Sequence, residues 1–289
     1  MKQDNLMDLY RDDIIRLRRE FHQHPELSFE ETETTRRIAE TLDGWGIPYE
    51  INPAKNTGLV AWSSVPAGKI AIRTGPFMAA TDKFTIRIHG VQSHGSQPWS
   101  GVDAVVVGSA IVMNLQSIVS RQLYAIDPVV VTVGKFQGGD RWNIVSGEAV
   151  LEGTTRYFRR EIGPELKERM ERIVKETAKA YGASAELEYQ FLILPTINDD
   201  ACTDIARQAV TEVLGADAIH ESDLIMGGED FSFYQEDKPG CFLFVGTYNP
   251  ACNATYPNHS NYFTSDESVL AGGSRVYAQM AIDWLKQNS

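Results

Sequence analysis

Hydrophobic and polar positions along this chain follow two periods, and the changes of period divide it into segments. From 4 to 23, Leu6, Leu9, Ile14, Leu17 and Phe21 recur among charged residues at helical spacing. That predicted helix ends at His24-Pro25, because proline disfavours α geometry in the residue before it. Glu30 to Trp45 reads as a second helix closed by Gly46-Ile47-Pro48, and short strands follow near 47–51 and 57–62.

The clearest pattern lies between 82 and 191. DKFTIRIHG (82–90) alternates as a strand, and VDAVVVGSAIVMNLQSIVSR (102–121) is a long, mostly apolar helix. PVVVTVGKF (128–136) and EAVLEGTTRYF (148–158) read as strands. Pro164 opens an amphipathic helix to Tyr181, with Leu166, Met170, Ile173 and Val174 on one face and Gly182 closing it. SAELEYQF (184–191) is a last strand. The order βαββαβ predicts a ferredoxin-like unit, two helices on one face of an antiparallel sheet. After Pro195 a helix runs from about 200 to 214, CFLFVG (241–246) is a short buried strand, and a helix begins near Asp266. The predicted class is α/β in two domains. An inserted unit spans 76–191, and a discontinuous α/β domain is made of 1–75 and 192–289.

Composition narrows this little. Hydrophobic residues make up 43% and charged residues 23%, ordinary for a soluble globular protein. The net charge of −12 repels a phosphate backbone, so nucleic acid is not an expected partner. MKQDNLMDLY has no apolar leader pattern, and no apolar run is read as reaching the ~20 residues that span a bilayer, so no membrane is expected. Cys202, Cys241 and Cys252 show no metal or disulfide spacing, which fits a reducing cytoplasm.

Six histidines are present. His22 and His24 end the first helix, where a structural role is the default, and His89 and His220 read as surface residues. His94 sits in the loop QSHGSQPWSGVD, from which an imidazole can reach a substrate oxygen; a solvated loop histidine is the plainer reading. His259, in YPNHSNYF, has the side chain that most often ligates metals, although a lone histidine is more often structural. In LIMGGEDFSFY (224–234), Gly227 and Gly228 permit close backbone approach to a ligand, or the acidic pair caps a helix. Asn143 and Arg156 lie on or beside neighbouring strands. Arg156 can grip a carboxylate and Asn143 can donate to a carbonyl; the alternative for Arg156 is a surface ion pair.

Taken in order, these stretches resemble the zinc aminoacylase and carboxypeptidase family. The resemblance is to its branch of N-acyl-amino-acid amidohydrolases, hippurate hydrolases and plant auxin-conjugate hydrolases. RREFHQHPELSFEETETT, TGLVAW, GPFMAATDKFTIRIHGVQSHGSQP, DAVVVGSAIVMNLQSIVSR, WNIVSGEAVLEGTTRYF, MGGEDFSFY and PNHSNYFTSDESVL carry the match over nearly the whole chain. The resemblance implies a zinc-peptidase-like α/β domain with the βαββαβ unit as a lid that also forms a homodimer. It implies two divalent metals, zinc or manganese, and an N-acyl amino acid or small peptide as substrate. His94 matches the lid histidine that crosses the dimer and polarises the scissile carbonyl, and Asn143 and Arg156 match lid residues for carbonyl and carboxylate. Gly227 and Gly228 match the pocket loop, and His259 matches the last metal ligand.

The chain departs from the pattern in one place. Between TGLVAW and the lid the family carries an aspartate-bearing strand, a Cys-Gly-His-Asp motif, a Pro-Ala-Glu-Glu motif and a further histidine. Here Ser63-Ser64 leads directly into VPAGKIAIRTGPFMAA. The general base and most metal ligands are therefore absent, and one imidazole does not make a catalytic zinc site. Three readings follow: an amidohydrolase by descent that lacks an internal segment, a noncatalytic dimeric remnant that binds acylated amino acids or a protein partner, and an interaction module built on the lid.

Overall fold

The structure, a computed structural model, describes residues 3–26, 31–48 and 61–287. The two predicted N-terminal helices are α1 (Gln3–Gln23) and α2 (Thr32–Gly44). The strand expected at 47–51 and the start of the one at 57–62 fall mainly outside the described residues. Then come β1 (Ala61–Pro66), β2 (Ile70–Ile72), β3 (Gly75–Met78), β4 (Ala80–His89) and β5 (Ser93–His94). α3 (Ala104–Ser117), β6 (Val130–Gly138), β7 (Ile144–Val145), β8 (Glu148–Tyr157), α4 (Ile162–Ala180) and β9 (Ser184–Ile193) complete the middle of the chain. β10 (Thr196–Asn198), α5 (Asp200–Leu214), β11 (Ile219–Glu221), β12 (Phe244–Tyr248) and α6 (Leu270–Gln287) follow.

The chain divides into two compact units, one of Met1–Ile72, Ala201–Ser222 and Phe242–Ser289, the other of Arg73–Asp200 and Asp223–Cys241. The sequence placed all of 192–289 in the outer domain. In the structure, Asp223–Cys241 groups with the middle unit. Backbone bonds hold it there, since Ala79 N–H reaches the carbonyls of Ile225 and Gly227, both at 3.0 Å, and Ile225 N–H reaches Phe77 O at 3.0 Å; the Gln235 side chain adds bonds to both backbone groups of Ile197 at 3.0 and 2.8 Å.

The middle unit is built on an antiparallel sheet of order β6-β8-β4-β9, the ferredoxin-like arrangement. β4 pairs with β8 from Ala80↔Tyr157 to His89↔Glu148 without a slip. Alternate residues of β4 (Phe84, Ile86, Ile88) face a core that also takes Leu151 from β8 and Leu166, Met170 and Val174 from α4. α3 contributes Val107, Ile111 and Leu115 at helical spacing. Full burial of each such side chain stabilises by about 1.5–3 kcal/mol. Asp103 caps α3, accepting from Val105 N–H at 2.9 Å and Val106 N–H at 3.3 Å. The helix continues as a π-helical turn over Ile118–Gln122. By length and composition alone Ala104–Gln122 would cross a bilayer, which the sequence reading did not register. Its Ile111, Leu115 and Ile118 are completely buried in the unit's own core.

The outer unit holds a mixed sheet of order β1-β12-β2-β11, with β1 parallel to β12, β12 antiparallel to β2, and β2 parallel to β11. Ile70, Ala209, Val210, Val245 and Val276 form its core. Arg18 and Arg19 of α1 both bond the Glu267 carboxylate, ahead of α6. β1 runs through Ser63–Val65, the position of the sequence departure, as one strand with a register shift between Trp62 and Pro66.

Candidate functional site

Two loops carry His94 and Asn143, and the backbone joins them. β5 pairs with β7, setting His94 opposite Ile144, and Gly95 N–H donates to Asn143 O at 2.8 Å. A side chain at Gly95 would put its Cβ 2.7 Å from that same oxygen, so the approach requires glycine. The His94 ring is exposed, and its Nδ1 lies 3.1 Å from Ser96 N and 2.7 Å from Ser96 Oγ. An open hollow of ≈ 460 Å³ lies beside these loops, lined in part by Asp103, Arg141, Trp142, Ile144 and Ser146.

Arg156 sits near the other end of β8. Its neighbours Thr155 and Tyr157 point into the core, so the guanidinium leaves the face opposite the helices. It is half-buried. Nε donates to Met226 O at 3.2 Å, and Nη1 donates to Thr155 O at 2.8 Å and to Thr154 Oγ1. Among the described residues no carboxylate lies within ion-pair distance, so the surface ion pair considered from the sequence is not formed. Burial draws the pKa of this guanidinium below its ordinary value, and the charge of Asp82 opposes that effect.

The glycine loop packs beside this cation. A Cβ on Gly228 would come within 2.3 Å of Thr81 Oγ1, whereas one on Gly227 would meet only ordinary contacts. At Gly228 the close approach in this structure is to the protein's own strand β4. Glu229 follows. Burial, and then the hydrogen bond and charge of Asp230, push its carboxyl up to about 8.

The structure therefore brings His94 to Asn143 and Arg156 to the glycine loop, but it separates the two pairs. The sequence places Asn143 and Arg156 on or beside neighbouring strands, which leaves their separation open. In the register His89 lies opposite Glu148 and Thr81 opposite Arg156. At ~3.3 Å per residue, the eight steps from Glu148 to Arg156 span about 26 Å. Asn143 lies before the start of that strand.

Sequence reasoning passed over Asp82. It is 1% exposed and lies on the core side of β4 between Ala80 and Phe84. Tyr189 Oη donates to Asp82 Oδ2 at 2.8 Å, Leu192 N–H to Oδ1 at 3.3 Å and Thr155 Oγ1 to Oδ2 at 3.4 Å. Burial raises its carboxyl above the ordinary value, and these donors only partly oppose the rise. A charge at a core-facing position of an alternating strand was the available signal.

His259 belongs to the outer unit and has left-handed backbone (φ 66) with an exposed side chain. Among the described residues no group of three or more His, Cys, Asp or Glu is arranged to hold a metal ion. The donor set of a two-metal centre is therefore not assembled by these residues.

A ferredoxin-like unit inserted into a second α/β unit, with a half-buried arginine and a loop histidine on the insert, defines a two-unit α/β architecture. The model of peptidase family M20/M25/M40 matches residues 28–283, and the chain belongs to that family. It is 35% identical over 218 residues to N-acetylcysteine deacetylase of Bacillus subtilis (strain 168), covering 75% of this chain and 56% of that protein. It is 32% identical over 232 residues to IAA-amino acid hydrolase ILR1-like 4 of Arabidopsis thaliana, covering 79% and 53%. The chain thus spans about half the length of the curated relatives it matches. Among solved structures, the Bacillus subtilis YXEP protein, a dinuclear metal binding peptidase from the M20 family, superposes with a TM-score of 0.76 at 22% identity, covering 96% of this chain and 99% of that one. The aminobenzoyl-glutamate utilization protein of Klebsiella pneumoniae gives 0.72 at 17% identity, covering 98% of each chain. At these identities the likeness is one of fold.

Proposed function

We propose that this protein is an amidohydrolase by line and by recognition, directed at the amide bond of N-acyl amino acids or small peptides. The observation that carries this reading is Arg156, a half-buried guanidinium with no carboxylate partner among the described residues. A desolvated cation held by neutral acceptors has a strong demand for an anion. The free carboxylate of an N-acyl amino acid meets that demand. The family and the amide-cleaving relatives supply the bond class.

The remaining contacts come from a second copy. With about 26 Å of β8 between the Arg156 end and the His94 end of one sheet, no N-acyl amino acid touches both. A homodimer formed through the lid sets His94 and Asn143 of one copy over Arg156 of the other. There His94 and Asn143 donate to the scissile carbonyl oxygen and stabilise charge that develops on it. Bound metals in the family activate the attacking water. In this chain His259 is the one position matched to a metal ligand, and zinc or manganese remains the expected kind of ion. With so few ligands of its own, the chain keeps the recognition of its family and lacks, among the described residues, most of the donor set that cleavage needs.

Complementation tests the recognition. His94→Ala and Arg156→Ala should each lose binding of an N-acyl amino acid in calorimetry. Their equimolar mixture should recover about a quarter of the sites, because half of randomly assorted dimers carry one intact site. A mixture as dead as its parts would refute the shared site. Metal analysis with an N-acyl amino acid hydrolysis assay tests the rest: stoichiometric metal with turnover would refute the ligand-poor centre.

A further inference from the structure

We infer that Ser96 is a positioning residue that fixes the tautomer of His94, keeping the imidazole's single proton on Nε2. Donor chemistry requires it. Ser96 N, 3.1 Å from His94 Nδ1, is a backbone nitrogen and can only donate. Nδ1 must therefore be the lone-pair nitrogen of the ring. The Ser96 hydroxyl, 2.7 Å from the same atom, then donates as well. A neutral imidazole has one proton, and with Nδ1 accepting twice that proton resides on Nε2.

The main chain holds the arrangement. Gln97 N–H closes a turn onto His94 O at 2.8 Å, Gly95 N–H is tied to Asn143 O, and Ser93 pairs with Val145 on the opposite strand. Ser96 is thus presented to the ring by a loop anchored on both sides. The opposite tautomer would point its N–H at another N–H and leave a bare lone pair on Nε2. That lone pair would repel a carbonyl oxygen instead of binding it. Here the orienting group lies two residues along the same loop. Its value at a scissile carbonyl rests on the function proposed above; the tautomer itself does not.

Nitrogen-15 spectroscopy reads the tautomer directly. With histidine-labelled protein, long-range proton–nitrogen correlation at a pH where the ring is neutral should show His94 with widely separated nitrogen shifts, the pattern of a pure Nε2–H form. His94→Gln assigns this signal among the six histidines. In Ser96→Ala, which keeps the backbone donor and loses the hydroxyl, the two shifts should converge part of the way as some of the other tautomer enters, while Ser96→Thr, which keeps both donors, should retain the wild-type separation. An unchanged separation in Ser96→Ala overturns the inference, and so does equal convergence in Ser96→Thr. Addition of an N-acyl amino acid should move the wild-type Nε2–H signal. If that signal stays fixed while the tautomer pattern holds, the substrate reading fails and the assignment to Ser96 stands.

Discussion

The Arg156 guanidinium donates through Nε to the carbonyl oxygen of Met226 at 3.2 Å, tying β8 to the glycine loop. Two further donors, both on Nη1, go to Thr155 O and Thr154 Oγ1. An arginine has five N–H donors, so these three bonds leave the two on Nη2 unused among the described residues. Its hydrogen-bond partners among the described residues are all neutral, and the Asp82 charge acts on it only at a distance.

Replacing Arg156 with alanine should weaken binding of an N-acyl amino acid by about ten- to a hundredfold, the usual worth of a charge-assisted hydrogen bond. The corresponding amide, which lacks the negative charge, should bind the two proteins almost equally. Calorimetric titration with both ligands makes the comparison. An equal loss for acid and amide would remove Arg156 from carboxylate recognition.

Gly228→Ala should cost about 1–3 kcal/mol of stability, as overpacking does in a close contact. The new methyl would meet Thr81 Oγ1 at 2.3 Å and Thr81 Cβ at 3.2 Å. In a Thr81→Ala background the hydroxyl is gone, and the same substitution should cost clearly less. Urea denaturation of the four proteins gives the coupling; strict additivity would mean that the contact is not the cause.

The loop that supports His94 depends on the start of α3. Asp103 caps that helix through Val105 and Val106, while Ala104 N–H reaches Ser146 O at 2.9 Å on the neighbouring loop. Asp103→Ala should therefore destabilise the protein by about 1 kcal/mol. Asp103→Asn keeps an acceptor and should lose much less. Thermal unfolding of the pair distinguishes loss of the cap from loss of the charge.

The middle unit was legible in the sequence because its signals are local. Phe84, Ile86 and Ile88 alternate, Val107, Ile111 and Leu115 recur at helical spacing, and the order of those patterns prescribes the sheet. The placement of Asp223–Cys241 was not legible, since it rests on bonds to backbone groups, such as those between Ala79 and the Ile225–Gly227 stretch, that no local sequence pattern announces. The distance between Asn143 and Arg156 was lost for a related reason. Sequence puts them on or beside neighbouring strands, but only the observed β8 and its register show Arg156 near one end of that strand and Asn143 before the other. His94 and Arg156 stand out in the sequence as candidates; the Ser96 contact and the lack of an ion-pair partner for Arg156 among the described residues emerge only in three dimensions.

Stability should fall as pH rises through the neutral range, and Glu229 should be a principal cause. Its carboxyl is raised from an ordinary 4.5 to about 8 by burial first and by the neighbouring Asp230 second. A carboxyl whose folded value is raised favours the folded state while protonated. That contribution is complete below 4.5 and is lost as pH climbs through about 8. Asp82, also raised by burial, acts with the same sign from its own lower starting value. Asp266 and Glu267, held below their ordinary values by Ser268 and Arg19 respectively, act with the opposite sign, and they do so only in acid. The neutral window thus isolates the raised groups. Glu229→Gln should show a flatter profile than wild type across that window, gaining on it steadily toward the alkaline end. Asp230→Asn removes the repelling charge, so Glu229 ionises at lower pH in the folded state and costs less when charged. The decline in that variant should be shallower than in wild type and should finish at lower pH. Melting temperatures of the three proteins across the window decide it: parallel curves for wild type and Glu229→Gln would show that this carboxyl does not titrate abnormally in the folded protein.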